Sequence, residues 1–253
     1  MWNRITFSAL AWAIALAPAA AADGPGAGIS AERILEATDR VRGGGVAGIE
    51  WQLKITASDS DTGGDVREVH VKASGDNSLA ETTFPPRAAG GRLLQLGRNM
   101  WYGRPDLQKP VSISSRQKML GPAANGDIAS TNYLQDYDAT LLRTEDVDGE
   151  PAYVLNLVGK TKFVTYDRVE YWVSTRRMVP VKAAFYTVSG KLFKTAVFET
   201  SNQISVDGKR QPFVSRMTIR DAINTDSVSV LDYSQVKLAA FSRYDLSVEA
   251  LTR

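Results

Sequence analysis

Two hydrophobic periods divide the chain. Between Ser30 and Arg42, the positions Ile34, Leu35, Thr38 and Val41 recur at helical spacing and make one stripe. Ser30 is placed to cap that helix, Glu32 suits the positive end of its dipole, and Gly43-Gly44-Gly45 stops it. The pattern predicts an amphipathic helix over 30–42, built to lie on an apolar surface. Beyond it the period falls to two. Ile49, Trp51, Leu53 and Ile55 alternate with Glu50, Gln52, Lys54 and Thr56, which predicts a half-buried strand. Asp61-Thr62-Gly63-Gly64 reads as a turn, and 66–73 returns as a second strand. Further strands are predicted near 78–84, 91–97, 99–104, 111–114, 139–146, 152–159, 167–175, 181–187, 191–201, 213–221 and 227–238. Turns at Ser74-Gly75-Asp76-Asn77, Asp148-Gly149, Ser189-Gly190 and Asp207-Gly208 carry residues that tolerate positive φ.

A sheet this wide must curl, close or split to bury a face. Both faces carry bulk: Val169, Tyr171 and Val173 point one way and Trp172 the other, and Phe185 opposes Tyr186. The expected class is mainly β (α+β). It is a curved, unclosed antiparallel β-barrel of about 11–13 strands with an N-terminal helix and a short helical lid against the concave face. The irregular stretch 115–137 would supply that lid. An ordinary sandwich with a few exposed aromatics is the alternative.

Composition narrows the setting. Residues 1–22 read as a cleaved signal peptide: Arg4 gives the positive start, Ile5 to Leu16 the apolar run, and Ala19 to Ala22 a cleavage site. The apolar run, about 12 residues, falls short of the ~20 needed to span a bilayer. The remainder, 23–253, has no linker-like break and is expected to be a single exported domain with no transmembrane segment. The chain contains no cysteine, which excludes disulfides, thiol catalysis, cysteine metal sites and anchoring through a lipidated cysteine. Lys plus Arg number 30 against 28 Asp plus Glu, scattered rather than striped, so no nucleic-acid partner is implied.

Candidate chemistry concentrates between Phe84 and Asp138. Asn125, Asp127, Thr131, Asn132, Asp136 and Asp138 offer many oxygen ligands, but their spacing does not fit a calcium loop. Asp127 and Asp136 would be the only acid/base pair worth naming, and both read better as caps of turns and short helices. The single histidine, His70, shares a polar, solvated strand face with Glu68 and Lys72 and completes no catalytic set. Gly43 to Gly45 follow a helix instead of opening one, so they make no phosphate site. No catalytic residue, metal site or cofactor is expected. What remains is apolar binding, supplied by Trp51, Trp101, Tyr102, Trp172, Phe185, Tyr186, Phe193 and Phe198. Burying each methylene of an acyl chain is worth roughly 0.8 kcal/mol, enough to bind a lipid without catalytic groups.

Several runs are familiar as a set: Pro85-Pro86-Arg87, Gly91-Arg92-Leu93-Leu94, Gly97-Arg98-Asn99-Met100-Trp101, Ile113-Ser114, Gln117, Gly121 and 125–132. Asp136-Tyr137, Val147-Asp148-Gly149, Tyr171-Trp172-Val173, 180–186 and 189–195 extend it. Over essentially the whole mature chain they resemble the outer-membrane lipoprotein-sorting protein family, similar in architecture to the periplasmic Lol-type lipoprotein carriers. The resemblance implies a non-enzymatic periplasmic carrier or chaperone that holds lipoprotein acyl chains, or another apolar lipid, in a hydrophobic cavity for transfer toward the outer membrane. It implies lipoprotein or lipid cargo as one partner and an inner-membrane transporter of the resistance-nodulation-division type as another. The alternative is an accessory protein that docks on such a transporter or an envelope complex without cargo. On the carrier reading, Leu35, Trp51, Leu53, Trp101, Met119, Leu120, Tyr171, Phe185 and Phe198 are expected to contact lipid. Arg87, Asn99, Asp127, Asn132 and Asp136 are expected to hold the lid by hydrogen bonds.

Overall fold

The fold is a 13-stranded antiparallel sheet whose two edges stay apart. In this computed structural model, residues 28–58, 64–129, 132–206 and 208–252 are described. The predicted signal peptide, the turn at 61–63, Ser130, Thr131 and Asp207 lie outside them.

Helix α1 (Ala31–Val41) comes first, followed by β1 (Ile49–Ser58), β2 (Asp65–Ser74), β3 (Asn77–Phe84), β4 (Arg92–Leu96), β5 (Asn99–Gly103) and β6 (Val111–Ile113). A compact crossing holds β7 (Lys118–Leu120), β8 (Ala123–Ala124), α2 (Asn125–Ala129) and α3 (Tyr133–Asp136). The second meander is β9 (Tyr137–Val147), β10 (Glu150–Gly159), β11 (Arg168–Ser174), β12 (Pro180–Tyr186) and β13 (Leu192–Glu199). The hairpin β14 (Asn202–Val206) and β15 (Lys209–Phe213) precedes β16 (Arg216–Asp221) and β17 (Val228–Leu238).

The sheet order is β6-β5-β4-β3-β2-β1-β17-β16-β13-β12-β11-β10-β9, so the meanders meet where β1 pairs with β17. The edges β6 and β9 do not pair, and the sheet is a curved, open barrel. Hairpin β14–β15 is a departure from the sequence expectation. Asp207-Gly208 marked its turn, but its strands are short and mostly polar, and exposed Pro212 interrupts the alternation.

Alternation decides which side chains enter the concave core. Ile49, Trp51, Leu53 and Ile55 of β1 line it, as do Val69 and Val71 of β2 and Val169, Tyr171 and Val173 of β11. Ser30 caps α1 by accepting from Arg33 N at 3.3 Å, and Ile34, Leu35, Thr38 and Val41 are all buried. Each such aliphatic side chain contributes about 1.5–3 kcal/mol on burial. Hairpin β14–β15 closes one side of this core, with Phe213 5.7 Å from Trp51 and Val214 N donating to Val41 O at 2.9 Å.

The convex face carries two smaller clusters. Leu79 and Leu94 pack under Leu246, Ala250 and Leu251 of the C-terminal segment, with Trp101 and Phe241 against them. Ala152, Val154, Trp172 and Ala184 form the other, and Trp172 Nε1 donates to Glu145 there at 2.5 Å. His70 also belongs to the convex face but is not simply solvated: it meets Glu50 at 3.1 Å, and Glu50 also pairs with Lys237 at 2.9 Å.

Candidate functional site

The cover over the concave face is built from pieces too short to be stable alone. An isolated helix needs roughly 12–15 residues to persist in water, whereas α2 has 5 and α3 has 4. Side-chain bonds hold them instead. Asp127 accepts from Ala124 N at 2.8 Å and from the Tyr166 hydroxyl at 2.7 Å. Ser78 Oγ of β3 donates to Ala129 O at 2.8 Å. Asn132 caps α3 through Gln135 N and also bonds Asp76. Arg98 donates to Gln135 O at 2.7 Å and stands 3.5 Å from Asp136, and Lys160 Nζ donates to Leu134 O at 2.8 Å. Arg116 forks onto Asp167 at 2.9 and 2.7 Å, tying the start of the cover to the loop before β11. Close approach is enforced at Gly126, where an added Cβ would lie 2.0 Å from Thr165 Oγ1.

Two covering helices meet at a buried polar junction. Asp39 of α1, 2% exposed, accepts from Leu134 N of α3 at 2.8 Å. Burial pushes its pKa up to about 7, against the pull of the Leu134 and Tyr133 amides and Arg42. Arg42, 3% exposed, lays its guanidinium 4.4 Å from the centre of the Tyr133 ring and 5.9 Å from that of Phe198. On β13, Lys194 is buried beside Tyr166 at 5.3 Å, and desolvation lowers its pKa.

Of the predicted lipid contacts, Leu35, Trp51, Leu53, Tyr171 and Phe185 are each 1% exposed or less and pack into one cluster, with Phe198 edge-on to Tyr171 at 6.0 Å. Met119 and Leu120 of β7 pack half-buried on its margin. Trp101 is a correction: it lies on the convex face against the C-terminal segment, because its cross-strand partner Leu94 faces that way. Of the predicted lid residues, Asp127, Asn132 and Asp136 make the bonds just described. Arg87 and Asn99 are corrections. Both are exposed, and among the described residues neither side chain makes a hydrogen bond. Arg98, next to Asn99, makes the contact instead. Asp127 and Asp136 have separate partners, Tyr166 and Arg98.

A cavity of about 260 Å³ opens between the wall β2–β6 and the start of the cover. Leu93, Ile113, Met119 and Tyr102 give it apolar surface, while Arg67, Thr82, Gln117, Lys118 and Asn125 bring polar groups. Of the predicted lipid contacts, Met119 alone lines this cavity. Pockets for drug-sized ligands run to roughly 300–1,000 Å³, so this space lies just below that range.

An open, curved antiparallel sheet whose concave apolar face lies under short helices is the class of protein that this architecture defines. A LolA superfamily protein from Nitrosomonas europaea superposes with a TM-score of 0.79 at 34% identity, covering 88% of this chain and 100% of that one. The chain belongs to the LolA superfamily. A family model described as "Uncharacterized protein" matches residues 74–253. A domain named for outer membrane lipoprotein sorting, from Vibrio parahaemolyticus, shares the fold at TM-score 0.74 and 20% identity, covering 88% of this chain and 98% of that one. A DUF1329 family protein from Desulfovibrio piger does so at 0.71 and 21%, covering 87% and 97%. No curated protein matches the sequence. Among the described residues no helix is long and apolar enough to cross a membrane.

Proposed function

We propose that the protein is a non-enzymatic periplasmic carrier that takes acyl chains, from a lipoprotein or a free lipid, onto its concave face for transfer toward the outer membrane. One observation carries the reading. A continuous apolar wall, from Trp51 and Leu53 across to Tyr171 and Phe185, lies under short helices held by side-chain bonds. An acyl chain replaces the apolar contacts of the cover at roughly 0.8 kcal/mol per methylene, and the polar bonds of the cover are re-made with water. Leu35 of α1 and Ile128 of α2 are buried in the same core as that wall, so they are among the apolar contacts such a chain replaces. Membership of a superfamily whose relatives include a domain named for lipoprotein sorting supports the same cargo class.

Native mass spectrometry of the protein purified from an exported preparation tests this. Adducts of acyl-chain mass are expected, and repeated recovery of the bare chain alone contradicts the reading. The second reading, a docking protein without cargo, draws on the filled core, since Trp51, Tyr171 and Phe185 already have protein neighbours on every side. No feature of the described residues singles out a resistance-nodulation-division transporter as its partner.

A further inference from the structure

The cavity beside β2 has a chemical asymmetry that the apolar wall does not. Arg67 lies two residues before Val69 on β2, and it reaches the concave side at the margin of the core. Its Nε is buried without a hydrogen-bond partner, and among the described residues Arg67 makes no ion pair. Lys118, exposed on β7, lines the same cavity and likewise makes no ion pair among the described residues. Asp221 acts on Lys118 from outside the lining, and buried Lys194 repels it. No lining residue is acidic. Deeper in, Leu93 belongs to the main core and Ile113 and Met119 pack on it, so the cavity runs from a cationic rim toward the apolar wall.

We infer that this cavity is a head-group site: it receives the anionic head of a single-chain amphiphile, a carboxylate or a phosphate monoester, on Arg67 and Lys118, with the tail directed past Met119 toward the core. A buried guanidinium donor without a partner gains a charge-assisted bond from such a head, and Thr82 and Asn125 add neutral polar groups beside it. The volume agrees, since about 260 Å³ suits a head and the first part of a tail but no second chain. The inference rests on the carrier reading and names the cargo class for it.

Four probes separate the terms: dodecanoate, dodecyl phosphate, neutral glyceryl monododecanoate and inorganic phosphate, each titrated by calorimetry into the full mature chain. Dodecanoate and dodecyl phosphate are expected to bind at least ten-fold more tightly than the neutral ester, the worth of one hydrogen bond to a charged group. Arg67→Met keeps the apolar stem and is expected to abolish that preference. Lys118→Gln, at an exposed position, is expected to reduce it several-fold and carries the test if Arg67→Met does not fold. Equal binding of neutral and anionic chains overturns the head-group site and leaves the carrier reading standing. Inorganic phosphate binding as tightly as dodecyl phosphate also overturns it, by showing a free-anion site. Failure of every acyl compound to bind overturns both.

Discussion

The wall and the cover of this molecule share one core but are held by different forces. The wall is a backbone ladder across 13 strands, in which each strand is fixed by its neighbours along its length. The cover is a set of short helices fixed by side chains, through Asp127 on Tyr166, Ser78 on Ala129, Arg98 on Gln135 and Asp39 on Leu134. Local stability follows the density of such ties, so the cover opens at a smaller free energy than the wall unfolds. A carrier needs that separation, because its cargo surface must become accessible without loss of the sheet.

The largest effect expected is on the wall. Phe185→Ala removes a fully buried ring on β12 stacked 4.1 Å from Tyr166 and should cost about 3–5 kcal/mol of global stability, measured by denaturant unfolding. A loss confined to the cover would break the comparison. Next comes pH. Folded Asp39 keeps its proton to about pH 7, whereas an unfolded aspartate releases it near 4. The folded state then binds more protons across that window, so this group's contribution falls as pH rises from about 4 through 7, by roughly 4 kcal/mol at most. Melting should occur at a higher temperature at pH 5 than at pH 8, and Asp39→Asn should flatten that part of the difference. Gly126→Ala forces a Cβ against Thr165 and should cost about 1–3 kcal/mol. Its amide exchange should rise in 124–136 and stay unchanged in β10–β12. The smallest is Ser30→Ala, which removes the α1 cap for about 1 kcal/mol, read as a small drop in melting temperature.

Most of the wall was legible because alternation is a local signal. The period-two runs located all 13 strands of the main sheet, and Ser30 with the glycine run bounded α1. Facing was harder. Trp101 looks like any other aromatic in a strand, and only its pairing with Leu94 under the C-terminal segment puts it on the convex side. The buried junction was missed although a signal existed. Asp39 and Arg42 follow Leu35 at intervals of four and seven, on the same helical face, yet charged residues beside an apolar stripe read as its solvated flank. The latch residues Arg98, Arg116, Lys160 and Tyr166 were illegible because their partners are distant in sequence: Asp167 lies 51 positions after Arg116.

The central claim, that the concave wall under the cover takes acyl chains, can be read through tryptophan. Outside the predicted signal peptide the chain has Trp51 on the concave face and Trp101 and Trp172 on the convex face. A variant with Trp101→Phe and Trp172→Phe leaves Trp51 as the only reporter of the mature chain, to be titrated with a fatty acid brominated along its tail. Saturable quenching of Trp51 is the result this account predicts. An unquenched Trp51, alongside quenching in the converse variant that lacks only Trp51, would contradict it.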